Sequence, residues 1–248
     1  MDWVERFYAK QHEWTGVYTE PIGTVHREKA ALVEQLGGVS PLRVRELGCG
    51  GGQVARATAD RGHTILAIDL DDRAIDHARR LAANQPEGRM TVLQADFYTV
   101  ELEGNFDAIC CFDGFGIGEG EDQRRLLRRI AGWLAPDGRA LIEVYTPWYW
   151  AAAAGRTMSW SDASRRYDYD AASNRLLDTW WPTDDPSAAV TQSLACYEPD
   201  ALRSLLAATG LILADVRPGG AYDHEKGVYR ERVPLGEAMQ YVAVLERA

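Results

Sequence analysis

The 248-residue sequence has few cysteines and lacks a long hydrophobic run. Its cysteines, Cys49, Cys110, Cys111 and Cys196, form no C-x-x-C pair, which disfavours a disulfide framework and a zinc site. No hydrophobic run approaches the roughly 20 residues that cross a bilayer. The first residues also lack the basic stretch and apolar core of a secretory signal. We therefore expect a cytoplasmic protein with buried thiols and no membrane partner.

Positive charge is also scarce, because 27 lysines and arginines stand against 37 aspartates and glutamates, for a formal net charge of −10. Phosphate backbones bind to basic surfaces, so nucleic acid is not an expected partner. The densest basic run, residues 124–129, lies on a helical pattern that also carries leucines, and we interpret its arginines as a solvated outer face. A monomer and a homodimer both fit this composition.

Strand and helix patterns alternate from about residue 26 to residue 146. Near-continuous apolar strands are predicted at 42–47, 64–69, 90–94, 107–112 and 139–145, and the segment 135–138 ("APDG") has the composition of a turn. Alternation of this kind is typical of an α/β fold, in which a parallel sheet is covered by helices on both faces.

The pattern changes at about residue 150. Residues 149–198 show period-two alternation and turn clusters, which predict a small inserted antiparallel sheet. A helix and two final strands, at 211–216 and 241–246, then return to the main sheet. The sequence therefore predicts one domain made of residues 1–148 and 199–248, interrupted by the insert. The polar connection at 217–236 is long enough to be functional or mobile.

The stretch "VRELGCGGGQVA", residues 44–55, places four glycines among the six residues after Glu46. A glycine-rich turn between a strand and a helix lets the backbone approach a nucleotide closely. Gly50, Gly52 and Ala55 also match the dinucleotide fingerprint, with Asp69 following Gly50 by 19 residues. However, a carboxylate at Glu46 would repel a pyrophosphate and attract the ammonium and sulfonium of S-adenosylmethionine.

Five segments appear in the order of the motifs of class I S-adenosylmethionine-dependent methyltransferases: "ELGCGGG", "AIDLD", "LQADFY", "FDAICCFDGFG" and "LAPDGRALIEVY". The chain resembles this family over residues 26–146 and from 199 to the end. The resemblance implies a Rossmann-like, mainly parallel seven-stranded sheet with one antiparallel strand near its edge. The insert is similar to the antiparallel β lid of small-molecule methyltransferases, including some aminosugar N-methyltransferases.

The resemblance also implies which residues bind the cofactor. Gly48, Cys49 and Gly50 would contact the methionine part beside Glu46, and Asp69 would accept hydrogen bonds from both ribose hydroxyls. Leu70, Asp96 and Phe97 would surround the adenine, while Phe112 and Asp113 would lie near the sulfonium and amino group. Plainer roles remain open: Asp69 as a helix cap, Asp96 as a loop acid, and Glu46 as a cap for neighbouring backbone.

The acceptor region is predicted less directly, because methyl transfer needs alignment more than an obligatory acid–base pair. Tyr8, Trp14 and His12 precede the sheet, where related enzymes have a segment that closes over the cofactor, although a packing role is an alternative. His12 is a candidate base. Asp113 opens "DGFG", the position of an amine-orienting loop whose two prolines are absent here. Tyr145 opens an aromatic run that could contact a substrate or act as a hinge.

We therefore predict an S-adenosylmethionine-dependent methyltransferase that acts on an amine or hydroxyl of a small molecule, a natural product or metabolite. No His, Cys or carboxylate cluster has metal-ligand spacing, so we expect no metal. The alternatives are a nicotinamide-dependent oxidoreductase and a non-catalytic protein that binds S-adenosylmethionine.

Overall fold

The computed structural model describes residues 2–85, 87–160 and 162–248. The helices and strands, in chain order, are α1 (Asp2–Thr15), α2 (Thr24–Leu36), β1 (Arg43–Leu47), α3 (Gln53–Asp60), β2 (Thr64–Asp69), α4 (Asp72–Ala83), β3 (Met90–Gln94), β4 (Phe106–Cys111), α5 (Gly120–Trp133), β5 (Leu134–Tyr145), α6 (Pro147–Ala153), β6 (Thr157–Ser159), β7 (Ala163–Asp170), β8 (Arg175–Pro182), β9 (Val190–Ala195), α7 (Pro199–Leu206), β10 (Leu211–Pro218), β11 (Ala221–Asp223), β12 (Val228–Arg230) and β13 (Gln240–Arg247). Short 3-10 helices occupy Val17–Thr19, Pro186–Ala188 and Leu235–Glu237.

The main sheet has seven strands in the order β10-β13-β5-β4-β1-β2-β3. The pairs from β5 to β3 are parallel, whereas β13 is antiparallel to both of its neighbours, β5 and β10. The predicted mainly parallel sheet with one antiparallel strand near its edge is therefore confirmed. Because β1 to β5 run in the same direction, their carboxyl ends meet at one edge.

Helices cover both faces of this sheet, as the apolar strands predict. One core layer joins Leu126 and Ile130 of α5 and Leu205 of α7 to the sheet. The other layer joins α2, α3 and α4 through residues such as Val33 and Ala55. All four cysteines are buried and unpaired. In the described ranges, no helix is both long and apolar enough to cross a membrane.

The inserted segment forms a four-stranded antiparallel sheet in the order β6-β7-β8-β9. Its beginning differs from the prediction, because α6 takes up residues 147–153 before the first strand. Pro147 stands at the first helical position, where the missing N–H costs nothing, and the alanines that follow favour a helix.

Two other segments differ from the sequence prediction. Residues 135–138 form an irregular part of β5 rather than a separate turn, because strand pairing moves from Phe106–Leu134 directly to Ala108–Arg139. The long connection after β10 contains its own small hairpin, β11 and β12. The polar connection at 217–236 therefore contains a short ordered hairpin that its composition did not predict.

Candidate functional site

A cleft opens at the carboxyl edge of the parallel strands. Its floor comes from the segments that follow β1, β2, β3 and β4, and α1 and the segment after it form its roof. The lining residues are Val4, Glu5, Tyr8, Tyr18, Gly48, Gly50, Asp69, Leu70, Asp71, Asp96, Phe97, Tyr98, Phe112, Asp113, Gly114 and Ile117. The motifs that the sequence places at successive strand ends therefore meet in one site.

The glycine turn after β1 needs glycine for two separate reasons. Gly48, Gly50 and Gly52 have φ values of 70°, 51° and 80°, a region that side chains with a Cβ rarely adopt. Gly51 needs space instead, because a Cβ there would lie 1.7 Å from the carbonyl oxygen of Tyr18. The turn is therefore packed directly against the roof of the cleft.

Asp69 ends β2 and ties three backbone groups together. Its Oδ2 accepts the N–H of Gly50 at 2.7 Å, and its Oδ1 accepts those of Leu70 at 2.7 Å and Asp71 at 3.0 Å. Burial raises the pKa of this carboxyl, and the three N–H donors oppose that shift. Since Asp71 caps α4 by accepting from Ala74 N, Asp69 is not the helix cap. A carboxylate has about four acceptor positions, so roughly one remains open here.

Asp96 lies in the loop after β3 and accepts the backbone N–H of Tyr98 at 2.8 Å. The loop is held from α5, because Arg129 donates to the carbonyl oxygens of Phe97, at 3.1 Å, and Val100. The interpretation of the basic run as a solvated face is therefore wrong for Arg129. The helical pattern did not show this, since its partners lie 29 and 32 residues earlier in the sequence.

Asp113 follows β4 and receives a hydrogen bond from the hydroxyl of Tyr145 at the end of β5. Asp113 is accessible along the cleft although protein atoms surround it closely, and this environment raises the pKa of its carboxyl. Its backbone N–H donates to Glu143 Oε2 at 3.0 Å. The same oxygen accepts Lys29 Nζ of α2 at 3.1 Å. Neither Lys29 nor Glu143 was singled out from the sequence.

The roof carries aromatic side chains that the sequence placed near the site. Tyr8 lines the cleft, and its hydroxyl donates to Gln192 of the inserted sheet at 3.3 Å. His12 does not line the cleft; its Nδ1 accepts the backbone N–H of Tyr18 at 3.3 Å, and the two rings stack. Burial lowers the pKa of His12. The geometry therefore makes His12 a support for Tyr18 and gives the predicted base no access to the cleft.

Nine of the residues predicted to bind the cofactor line the cleft: Tyr8, Gly48, Gly50, Asp69, Leu70, Asp96, Phe97, Phe112 and Asp113. Trp14 instead lines a separate groove with Trp160 and Trp180. Trp14 follows Tyr8 by six residues on α1, so its side chain points about 240° away from that of Tyr8 around the helix axis. The two side chains therefore face different grooves. Tyr145 reaches the site through Asp113.

Glu46 and Cys49 lie beneath the cleft rather than in its wall. Glu46 is 3% exposed, its Oε2 has no hydrogen-bond partner among the described residues, and burial raises its pKa to about 8. This raised pKa weakens the negative charge from which the cofactor role of Glu46 was predicted. Cys49 helps to fix the glycine turn through its backbone, because its N–H donates a hydrogen bond to Ile68 O at 2.9 Å.

Sequence reasoning missed several residues of the wall, including Val4, Glu5, Asp71, Tyr98, Gly114 and Ile117. Tyr18 also lies in the wall, and the close approach of its carbonyl oxygen to Gly51 depends on tertiary packing. Asp71 could have been found from the sequence, because it is the first acid after β2 and caps α4. The described residues of the cleft wall include five carboxylates (Glu5, Asp69, Asp71, Asp96 and Asp113) and no lysine or arginine.

This wall fits S-adenosylmethionine better than a dinucleotide. An unbalanced set of carboxylates attracts a cationic ligand and repels a pyrophosphate. Positive-φ glycines leave the backbone open where a Cβ would intrude, and Leu70 and Phe97 provide apolar surface beside the acids. The residues present therefore match a ligand that combines an adenosine with a sulfonium and an ammonium.

Comparison with known proteins agrees with this chemistry. Residues 44–138 match the family model described as a methyltransferase domain. The ubiquinone biosynthesis O-methyltransferase of Pseudomonas aeruginosa is 26% identical over 116 residues, 44% of this chain and 49% of that protein. The S-adenosyl-L-methionine-dependent Diels-Alderase iliD of a Neonectria species is 33% identical over 115 residues, 44% of this chain and 46% of that protein. The chain spans about half the length of the curated relatives it matches.

Similarity in three dimensions extends further along the chain. The structure of the CcbJ methyltransferase from Streptomyces caelestis superposes with a TM-score of 0.73 at 21% identity, covering 91% of this chain and 90% of that one. The predicted fold is thus confirmed. The chain has the fold of these S-adenosylmethionine-dependent methyltransferases, and its residues 44–138 match a methyltransferase domain.

Proposed function

We propose that the chain transfers the methyl group of S-adenosylmethionine to an amine or hydroxyl of a small molecule, a metabolite or natural product. The observation that carries this proposal is the cleft wall of five carboxylates without a lysine or arginine. A cationic methyl donor is stabilised by such a wall, whereas a nicotinamide dinucleotide is not.

The chain's residues would act by binding and alignment. Gly48 and Gly50 allow close approach of the methionine part, and Asp69 offers its open acceptor position to the ribose. Asp96, Leu70 and Phe97 form the adenine end. S-adenosylmethionine supplies the methyl group and a neutral thioether as the leaving group, so alignment is the main task of the protein.

The roof favours a small acceptor. Helix α1 lies between the cleft and the inserted sheet, and Phe7, Trp180 and Val190 pack together in this layer. We propose that α1 and the insert form a lid that excludes polymers. Residues 1–148 and 199–248 would then bind the cofactor, with 149–198 as the lid subdomain. We further propose a cytoplasmic monomer or homodimer that needs no metal and binds no nucleic acid.

The test is incubation with S-adenosylmethionine and a panel of small amines, phenols and alcohols, followed by mass spectrometry. We expect at least one acceptor to gain the mass of one methyl group in place of hydrogen, with stoichiometric formation of S-adenosylhomocysteine. The Asp69→Ala variant serves as the control and should show little product. If no acceptor in a broad panel gains a methyl group, the proposal is contradicted.

A second candidate is a reaction that uses the bound cofactor without transferring its methyl group. The observation in its favour is the 33% identity to a protein named as an S-adenosyl-L-methionine-dependent Diels-Alderase. This candidate predicts that S-adenosylhomocysteine raises the midpoint of thermal unfolding while no acceptor is methylated. Stabilisation by NADH alone would instead support the oxidoreductase alternative.

A further inference from the structure

A second groove is lined by another side of α1. Trp14 of α1 and Val17 after it line this groove, whereas Tyr8 and Tyr18 line the cleft. The groove and the cleft therefore share a wall but no lining residue. The groove has a volume of about 390 Å³, within the range of sites that hold small molecules. It is a separate concave surface, outside the site already described.

Three of the eight tryptophans of the chain meet in this groove. The rings of Trp160 and Trp180 stack, with their centres 5.7 Å apart and their planes 7° from parallel. Trp160 is 48% exposed, although rings of this size are usually well buried, and Trp14 supplies the third indole. Indole is the aromatic ring that attracts a cation most strongly. The groove therefore offers an aromatic surface suited to a positively charged ligand.

The exposed ring is held in place through its backbone. The N–H of Trp160 donates to Ala163 O at 2.8 Å, and its carbonyl oxygen accepts the hydroxyl of Thr183 at 3.1 Å. The N–H of Thr183 donates in turn to Asp162 O at 3.2 Å. These bonds tie the turn between β6 and β7 to the segment after β8. Trp160 and Asp162 are therefore positioned before a ligand binds, which lowers the entropy lost on binding.

The groove carries unbalanced negative charge. Its described lining residues include the exposed carboxylates of Glu20 and Asp162, and none of them is a lysine or arginine. A guanidinium does lie against one of the rings, since Arg165 Cζ is 4.4 Å from the centre of the Trp180 ring. Asp178 already balances that charge, through contacts of 3.1 and 2.5 Å. The two carboxylates of the groove therefore remain available to a cation.

Indole rings and carboxylates together stabilise a substituted ammonium ion, because the rings attract its charge and cover its carbon atoms while the acids supply opposite charge. An anionic ligand would be repelled, and a neutral ligand would gain nothing from the charge of the two acids. We propose that the groove is a second ligand site, which binds a small organic ammonium ion between the three indoles and the two carboxylates. This inference is independent of the proposed function, because the groove and the cleft share no residue.

The test is a titration of the full chain with choline, followed through the indole N–H signals in a proton–nitrogen correlation spectrum. Each signal is assigned with a Trp→Phe variant. A neutral alcohol in which carbon replaces the nitrogen of choline serves as the isostere. Choline replaces sodium chloride at constant ionic strength, and S-adenosylhomocysteine is present in excess so that choline does not enter the cleft. The signals of Trp133 and Trp150, whose N–H groups donate to backbone oxygens of the core, are internal controls.

We expect choline to shift the signals of Trp14 and Trp160 saturably, with a dissociation constant on the order of 1 mM. The neutral isostere should bind about fivefold more weakly, and the signals of Trp133 and Trp150 should not move. Equal shifts from choline and the isostere would show that the groove recognises apolar surface alone and would overturn the inference, as would the absence of shifts. Shifts that follow dilution of the protein instead of choline would assign the groove to a second copy of the chain and would also overturn it.

Two variants separate the aromatic and the charged part of the groove. Trp160→Ala removes the exposed ring, and Asp162→Asn removes one charge while keeping the shape of the side chain. We expect the first to weaken choline about fivefold and the second about threefold, with Trp14 as the reporter in both. Asp184→Asn, an exposed acid of the insert outside the groove, is the control and should leave the dissociation constant unchanged. Thermal unfolding checks that each variant folds. If neither Trp160→Ala nor Asp162→Asn weakens choline, the groove is not its site and the inference is wrong.

Discussion

The carboxylate of Asp69, at the end of β2, accepts the backbone N–H of Gly50, in the turn after β1, at 2.7 Å. This bond joins two motifs of the site that lie on neighbouring parallel strands. It positions the glycine turn and orients the acid with the same contact. Binding of the adenosine part and order in the glycine turn should therefore change together.

We predict that Asp69→Ala weakens S-adenosylhomocysteine and destabilises the fold together. Three backbone N–H groups lose their acceptor, and each unsatisfied buried group costs about 1–3 kcal/mol, although solvent reaching the cleft reduces the sum. Calorimetry should show a loss of affinity of at least about tenfold. Asp76→Ala, on the exposed face of α4, is the control. Unchanged affinity in Asp69→Ala would show that the acid has no part in binding.

The contact between Gly51 and the roof gives a second prediction. Gly51→Ala would place a Cβ 1.7 Å from Tyr18 O, so the segment after α1 must move away from the turn. We expect a loss of about 1–3 kcal/mol in the free energy of unfolding and weaker cofactor binding. Gly132→Ala in α5 has no atom within 4 Å of its new Cβ and should be neutral or stabilising by about 0.5–1 kcal/mol. Urea denaturation of both variants measures the difference, and equal stability would contradict this account of the packing.

Arg129 and its neighbour Arg128 on α5 can be compared as a test position and a control position. Arg129 holds the loop after β3 through two carbonyl oxygens, while Arg128 makes an exposed ion pair with Glu121. Arg129→Ala should lower the free energy of unfolding by about 1–3 kcal/mol and weaken S-adenosylhomocysteine, whereas Arg128→Ala should cost under about 1 kcal/mol. Denaturation and calorimetry test both effects. Equal effects would mean that the loop carrying Asp96 does not depend on α5.

Glu46 predicts a pH dependence of stability. Its pKa of about 8 in the folded chain lies above the usual value of about 4.3 in unfolded chains, because burial disfavours the charged form. Between these two pKa values the native state binds more protons than the unfolded state. The stability that protonated Glu46 contributes is therefore complete at low pH and is lost as the pH rises through the folded pKa. The slope is up to about 1.4 kcal/mol per pH unit.

Glu46→Gln should remove that slope. Urea denaturation at pH 6 and pH 8 should show that the variant gains about 2 kcal/mol relative to the wild type over this interval. The same pH dependence in both proteins would show that Glu46 is already ionised at pH 6.

Much of the fold and the cofactor end of the cleft could be predicted from local patterns. Gly48, Asp69 and Asp96 stand at or just after the ends of apolar strands, and parallel strands bring such positions to one edge of a sheet. The remaining features depend on contacts that no local pattern contains. Lys29 meets Glu143 across 114 residues, and the segment of Tyr18, which follows α1, lies against Gly51 in the turn after β1.

Burial is another property that a sequence shows only indirectly. Burial and pairing likewise changed the interpretation of single residues. Glu46 follows the expected motif, but burial raises its pKa to about 8. Arg129 belongs to a charged run, but its guanidinium bonds to backbone. In each case the residue type was informative, whereas its charge state or partner required the tertiary structure.

The most direct measurement is a calorimetric titration of the wild-type chain with S-adenosylhomocysteine, repeated with Asp69→Ala. The structure predicts saturable binding at one site per chain and a clear loss of affinity in the variant. Absence of binding to the wild type, or identical binding isotherms for the two proteins, would contradict a cofactor site at the ends of β1 to β4.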